Sequence, residues 1–125
     1  MIKDKRLKLF IWCYPIALTF IGVIIHAVGL FGFQVYLTSD FILHLVMLLT
    51  DSLVVIGLYR QKWWGYWLAV MLYCQQSICQ PYWAYKNFTE ISNSLPHFVA
   101  IILILISLFF LLRFKKLFFY VHEYN

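Results

Sequence analysis

Long stretches of this chain carry no Asp, Glu, Lys or Arg at all: Leu9 to Ser39, Trp63 to Tyr85, and Ile91 to Leu112. A fourth stretch, Phe41 to Tyr59, holds a single charge, Asp51. A helix rising about 1.5 Å per residue needs roughly 20 apolar residues to cross a hydrocarbon core of about 30 Å. Each stretch is long enough. The pattern predicts an all-α integral membrane protein, a four-helix transmembrane bundle with spans at 9–32, 40–60, 63–86 and 94–116. A transmembrane β-barrel needs apolar and polar residues in alternation, and runs such as Ile101-Ile102-Leu103-Ile104-Leu105-Ile106 do not alternate.

Composition closes off the soluble readings. The chain is 64% hydrophobic and 12% charged, with a mean hydropathy of +0.82. A soluble domain is roughly half apolar and about one quarter charged, and a chain this short cannot hide the surplus in one core. A soluble enzyme and a disordered chain are excluded. The four spans use the sequence up, so residues 1–125 read as a single transmembrane domain.

The basic residues orient it. Lys3, Lys5, Arg6 and Lys8 precede the first span, Arg60 and Lys62 separate the second from the third, and Arg113, Lys115 and Lys116 follow the fourth. Four spans put all of these on one side and leave only Lys86 on the other. By the positive-inside rule both termini are expected in the cytoplasm. The plasma (inner) membrane is the favoured location, with the endoplasmic reticulum as the alternative. The net charge of +5 then marks topology and attraction to anionic lipid, and no nucleic-acid partner is expected. The basic start followed by an apolar run is read as a retained helix, because the run is too long for a signal peptide and contains Pro15.

Aromatic residues cluster at the span edges. Trp63, Trp64, Tyr66 and Trp67 at one end of the third span, and Tyr82, Trp83 and Tyr85 at the other, are expected to be interfacial anchors. Phe118-Phe119-Tyr120 is assigned the same role beyond the last span. Cys13, Cys74 and Cys79 are an odd set with no CxxC pair. They read as packing residues.

Polar side chains inside a span face a partner, a cavity or a ligand. Asp40, His44 and Asp51 share one face of the second span, by their spacing. Tyr73, Gln76 and Gln80 form a stripe on the third, which Tyr66 and Trp83 extend. The first presents Thr19, Gly22, His26 and Gly29, and the fourth Asn93, His97, Ala100, Ile104 and Ser107. Each helix thus has one inward face. His26, His44, Gln80 and His97 belong to one outer layer, and Asp51 lies about 10 Å deeper than His44 by the helical rise. Gln75 and Gln76 are the expected partners of Asp51. The expected picture is a pocket open to the non-cytoplasmic side with a carboxyl group at its floor. Its ligand-binding residues are His26, His44, Asp51, Gln76, Gln80 and His97.

A carboxylate at mid-bilayer costs about 2.5–3.5 kcal/mol on insertion scales, so Asp51 is either a hydrogen-bonded link between helices or a functional group. The glycines Gly22, Gly29 and Gly32 allow close helix packing, within the bundle or in an oligomer. No resident cofactor is expected. His26, His44 and His97 come from three helices at similar depth, and imidazole binds zinc, copper and haem iron, so a haem or metal site there is the minor alternative. Glycine-rich phosphate loops, nucleophile elbows and closely paired carboxylates are absent from the sequence. Asn87-Phe88-Thr89 matches a glycosylation sequon.

The plan of four spans with an acidic residue in the second, and a last helix ending in Arg113 and Phe114, loosely resembles the EXPERA group of sterol-binding and sterol-isomerising membrane proteins. The resemblance implies a lipid-like ligand and carries no individual residue across. The leading expectation is a non-enzymatic membrane protein whose polar pocket binds, or moves, a small amphipathic or lipid-like molecule. One alternative is an accessory or immunity-type subunit of a larger membrane complex. Another is an intramembrane isomerase or a haem or metal oxidoreductase using Asp51 and the histidines.

Overall fold

The computed structural model describes residues 2–31, 41–86 and 91–119, apart from the side chains of 91–93. Gly32, Asp40, the Asn87-Phe88-Thr89 triplet, Tyr120 and the side chain of Asn93 lie outside the described residues. Those residues form four α-helices, α1 (Lys5–Leu30), α2 (Phe41–Tyr59), α3 (Trp63–Lys86) and α4 (Ile91–Arg113), followed by a short 3-10 turn at Lys115–Leu117. Three helices are long and apolar enough to cross a membrane: α1, α2, and α4 over Ser94–Arg113. The 24-residue α3 has the length but is more polar, because Gln75, Gln76, Ser77 and Gln80 fall in its second half.

The helix ends differ slightly from the expected spans. α1 starts earlier, at Lys5, because Asp4 caps it: its carboxylate accepts from the Arg6 backbone N–H at 2.8 Å. α4 starts at Ile91 and takes Pro96 inside. It ends at Arg113, earlier than expected, where the chain tightens into the 3-10 turn.

The helices run alternately up and down, in a ring that follows chain order. α1 packs along α2 and α3 along α4 as two closely matched hairpins, with looser seams between α2 and α3 and between α1 and α4. The turn joining the hairpins is only Arg60-Gln61-Lys62. Gln61 adopts a left-handed backbone (φ 52°), and the Lys62 N–H returns to the Gly57 carbonyl at 2.9 Å. Beside that turn the backbones of Gly57 and Gly65 touch, and a Cβ on either would collide with the other. The basic residues flanking the helices, other than Lys86, therefore gather at one end of the bundle.

That end is solid. Ile11, Val54, Leu58, Tyr66, Ala69 and Leu111 fill it, and Phe118 and Phe119 fold back onto them. Phe118 is fully buried, Tyr66 and Phe119 rings pack at 5.1 Å, and Gln61 Nε2 donates to the Leu117 carbonyl at 2.9 Å. The Lys115 ammonium sits 4.9 Å from the Trp67 ring centre and 5.6 Å from that of Tyr66. These positions correct the expectation for two aromatic groups. Phe118 and Phe119 are core residues closing the bundle end, and Tyr66 is buried, its hydroxyl donating to the Leu111 carbonyl at 3.1 Å. Trp63, Trp64, Tyr82 and Tyr85 are exposed, as anchors would be.

The outer surfaces of the helices are apolar. Ile102, Leu105, Phe109 and Leu112 on α4, and Ile42, Val46, Leu49 and Leu53 on α2, all project outward. A soluble monomer rarely exposes apolar surface on this scale.

Candidate functional site

Away from the solid end, the two hairpins enclose a cavity of about 530 Å³. Its walls come from the last part of α1, the first part of α2, the second half of α3 and the first half of α4. His26, His44, Asp51, Gln76, Gln80 and His97 all line it, so the polar residues of four helices meet in one space. Leu18, Ile25, Met47, Leu72 and Ile104 supply apolar wall between them.

Two polar groups stand within it. In the first, the Nδ1 atoms of His26 and His44 lie 2.9 Å apart and the rings are inclined at 47°. A hydrogen bond between two ring nitrogens needs one to carry a proton and the other a lone pair, so the two imidazoles cannot both be cationic in this arrangement. His26 Nε2 faces Asp51 Oδ2 at 3.9 Å, too far for a hydrogen bond. Asp51 and His44 are almost wholly buried, at 4% and 1% exposure, while His26 is half-buried.

In the second group, Gln80 Nε2 donates to Gln76 Oε1 at 3.0 Å, and Gln80 Oε1 accepts from His97 Nδ1 at 2.7 Å. The direction fixes a proton on His97 Nδ1, given the amide orientation assigned. Gln76 is thus engaged along its own helix. Neither it nor Gln75 hydrogen-bonds Asp51, which corrects the expected pairing. The reason is reach: Gln76 and Gln80 sit one turn apart on α3 and satisfy each other. His97 bonds to Gln80. Among the described residues no group of three or more His, Cys, Asp or Glu side chains is arranged to hold a metal ion.

The glycines of α1 explain why the first group fits. A Cβ on Gly22 would lie 2.7 Å from Asp51 Oδ2, and one on Gly29 would lie 2.6 Å from the His44 ring. The small-residue face admits two polar side chains of α2 against bare backbone. A third polar cluster includes Thr19 and Tyr73, which also line the cavity, and its contacts were not expected from the sequence. The Pro15 carbonyl accepts from the Thr19 hydroxyl at 2.7 Å and from the Tyr73 hydroxyl at 3.0 Å, and those two oxygens are themselves 2.7 Å apart. Tyr73 thereby spans the bundle from α3 to α1. Ser107 lies near the same hydroxyl without reaching hydrogen-bond geometry. Cys79 also lines the cavity, and all three cysteines are free thiols.

No protein-family model matches the chain, and neither a curated protein nor a solved structure matches it.

Proposed function

We propose that this chain is a four-span membrane protein that holds a small amphipathic or lipid-like molecule in the cavity between its two hairpins. One observation carries the reading: the polar residues of all four helices, including those that pair across helices as His26–His44 and Gln80–His97 do, line a single cavity. Ligand pockets are typically about 300–1,000 Å³, mainly apolar, with a few convergent polar groups. This cavity has that size and that make-up. A purely structural set of polar residues would be buried in direct hydrogen bonds across helices, whereas Asp51 lines the cavity with no hydrogen bond to its carboxyl.

The companion proposals concern placement. α3 completes the membrane-spanning set, its polar half turned to the cavity and its outer side chains, such as Met71 and Ile78, turned to lipid. Both termini face the cytoplasm, supported by the basic residues gathered at one end, and the plasma membrane is the favoured site. The cavity then lies in the outer half of the bilayer. Binding without chemistry is favoured over catalysis.

Native mass spectrometry of the purified protein with its co-purified lipids tests the central reading. A bound molecule is expected in the wild type and lost on closing the cavity with Ala100→Phe. An empty wild-type protein, taken from its native membrane, would refute it.

A further inference from the structure

We infer that the molecule held in this cavity is a hydrophobic amine, its protonated nitrogen seated against Asp51. The inference rests on the cavity being a binding site, as proposed above, and goes on to name the chemistry of what enters.

Among the described residues lining the cavity, Asp51 is the only Asp, Glu, Lys or Arg. All ten Lys and Arg residues lie outside the stretch of helix that forms it. The carboxyl makes no hydrogen bond, and its nearest cationic candidate, His26, stands off at 3.9 Å. That imidazole is already engaged through Nδ1 with His44. Gly22 leaves Asp51 Oδ2 against backbone with no side chain to cover it. A group 96% hidden from solvent yet without a hydrogen-bond donor leaves a donor's place open in the cavity beside it.

The complement of that place is an N–H donor bearing positive charge. A charge-assisted N–H to carboxylate contact is roughly twice as strong as a neutral one, and an amine compensates the carboxylate in a low-dielectric space. An anionic amphiphile would set a second negative charge beside Asp51. A neutral alcohol offers a donor without the charge. The rest of the molecule lies along the apolar wall of Leu18, Ile25, Met47 and Leu72. On the rim, Ile21 of α1 and Val99 of α4 both line the cavity and are themselves about half exposed. The seam between those two helices therefore connects the space with lipid.

Three probes of one chain length separate the possibilities: dodecylamine, dodecanol and dodecanoate, titrated into the protein in zwitterionic nanodiscs and counted by native mass spectrometry. The wild type is expected to bind the amine about tenfold or more tightly than the alcohol, the scale of a charge-assisted hydrogen bond, and to bind dodecanoate weakest. Asp51→Asn is expected to erase the amine's advantage over dodecanol. Equal binding of amine and alcohol by the wild type overturns the amine assignment while the cavity reading stands. An amine advantage that survives Asp51→Asn also overturns it. If none of the three binds the wild type, both readings fall together. The wild-type comparison decides even if Asp51→Asn does not fold.

Discussion

At the scale of single residues, the site depends on where side chains are missing as much as on where they are present. Gly22 and Gly29 hold open the places occupied by Asp51 and His44. Gly29→Ala is expected to lower stability by roughly 1–3 kcal/mol, the usual cost of overpacking a close contact, because the added Cβ meets three atoms of the rigid His44 ring, which can give way only as a whole. Gly22→Ala is expected to cost less, since its Cβ meets the tip of a carboxyl that can swing toward the cavity. Thermal unfolding of both variants in one detergent measures the order, and a reversed order would contradict the packing described. Tyr73→Phe removes a donor from the Pro15 carbonyl and is expected to cost about 1 kcal/mol in the same assay. The polar residues that line the cavity were legible in the sequence because an ionisable group in a long apolar run stands out, and helical spacing alone sorts His44 with Asp51 and Gln76 with Gln80. Which of them touch was not legible. Spacing gives the face a residue occupies but not the rotamer, so the His26–His44 contact and the self-satisfied Gln76–Gln80 pair had to come from three dimensions.

At the scale of elements, the fold follows from the sequence more simply. Charge-free runs longer than the hydrocarbon core specify helices, and short connections, such as Arg60-Gln61-Lys62 between α2 and α3, make neighbours run antiparallel. The C-terminal segment did not follow that logic. Phe118 and Phe119 sit beyond the last apolar run among basic residues, where an interfacial role is the usual reading, and only the fold-back onto Tyr66 makes them core. Phe118→Ala is accordingly expected to destabilise the protein by roughly 3 kcal/mol, as for a buried aromatic. Phe109→Ala, at 57% exposure on the outer face of α4, is expected to change stability by less than about 0.5 kcal/mol. Similar effects of the two would show that the C-terminal segment does not pack there. Gly57 and Gly65 were equally silent in the sequence. Each is one glycine in an otherwise apolar helix, and their significance appears only when α2 and α3 lie side by side.

At the scale of the whole molecule, the distribution of charge and the position of the cavity make one statement about direction. The end that carries the basic residues is filled, and the space is at the other end. Cysteine at Lys62 or at Lys86, in a background with Cys13, Cys74 and Cys79 replaced by Ala, tests the orientation. A membrane-impermeant maleimide is expected to label Lys86→Cys on intact cells and Lys62→Cys only after the cells are opened. The reverse pattern would turn the protein over and place the cavity in the cytoplasmic leaflet.

The touching glycines at the Gln61 turn have a mechanical corollary. Two stiff hairpins pinned together at one extremity behave as a pair of tongs whose fulcrum is bare main chain, locked by Phe118, while the jaws meet only along their looser edges. Widening the jaws disturbs few tightly packed atoms, so guests of different girth would be met by a change of angle and not by rebuilding the grip.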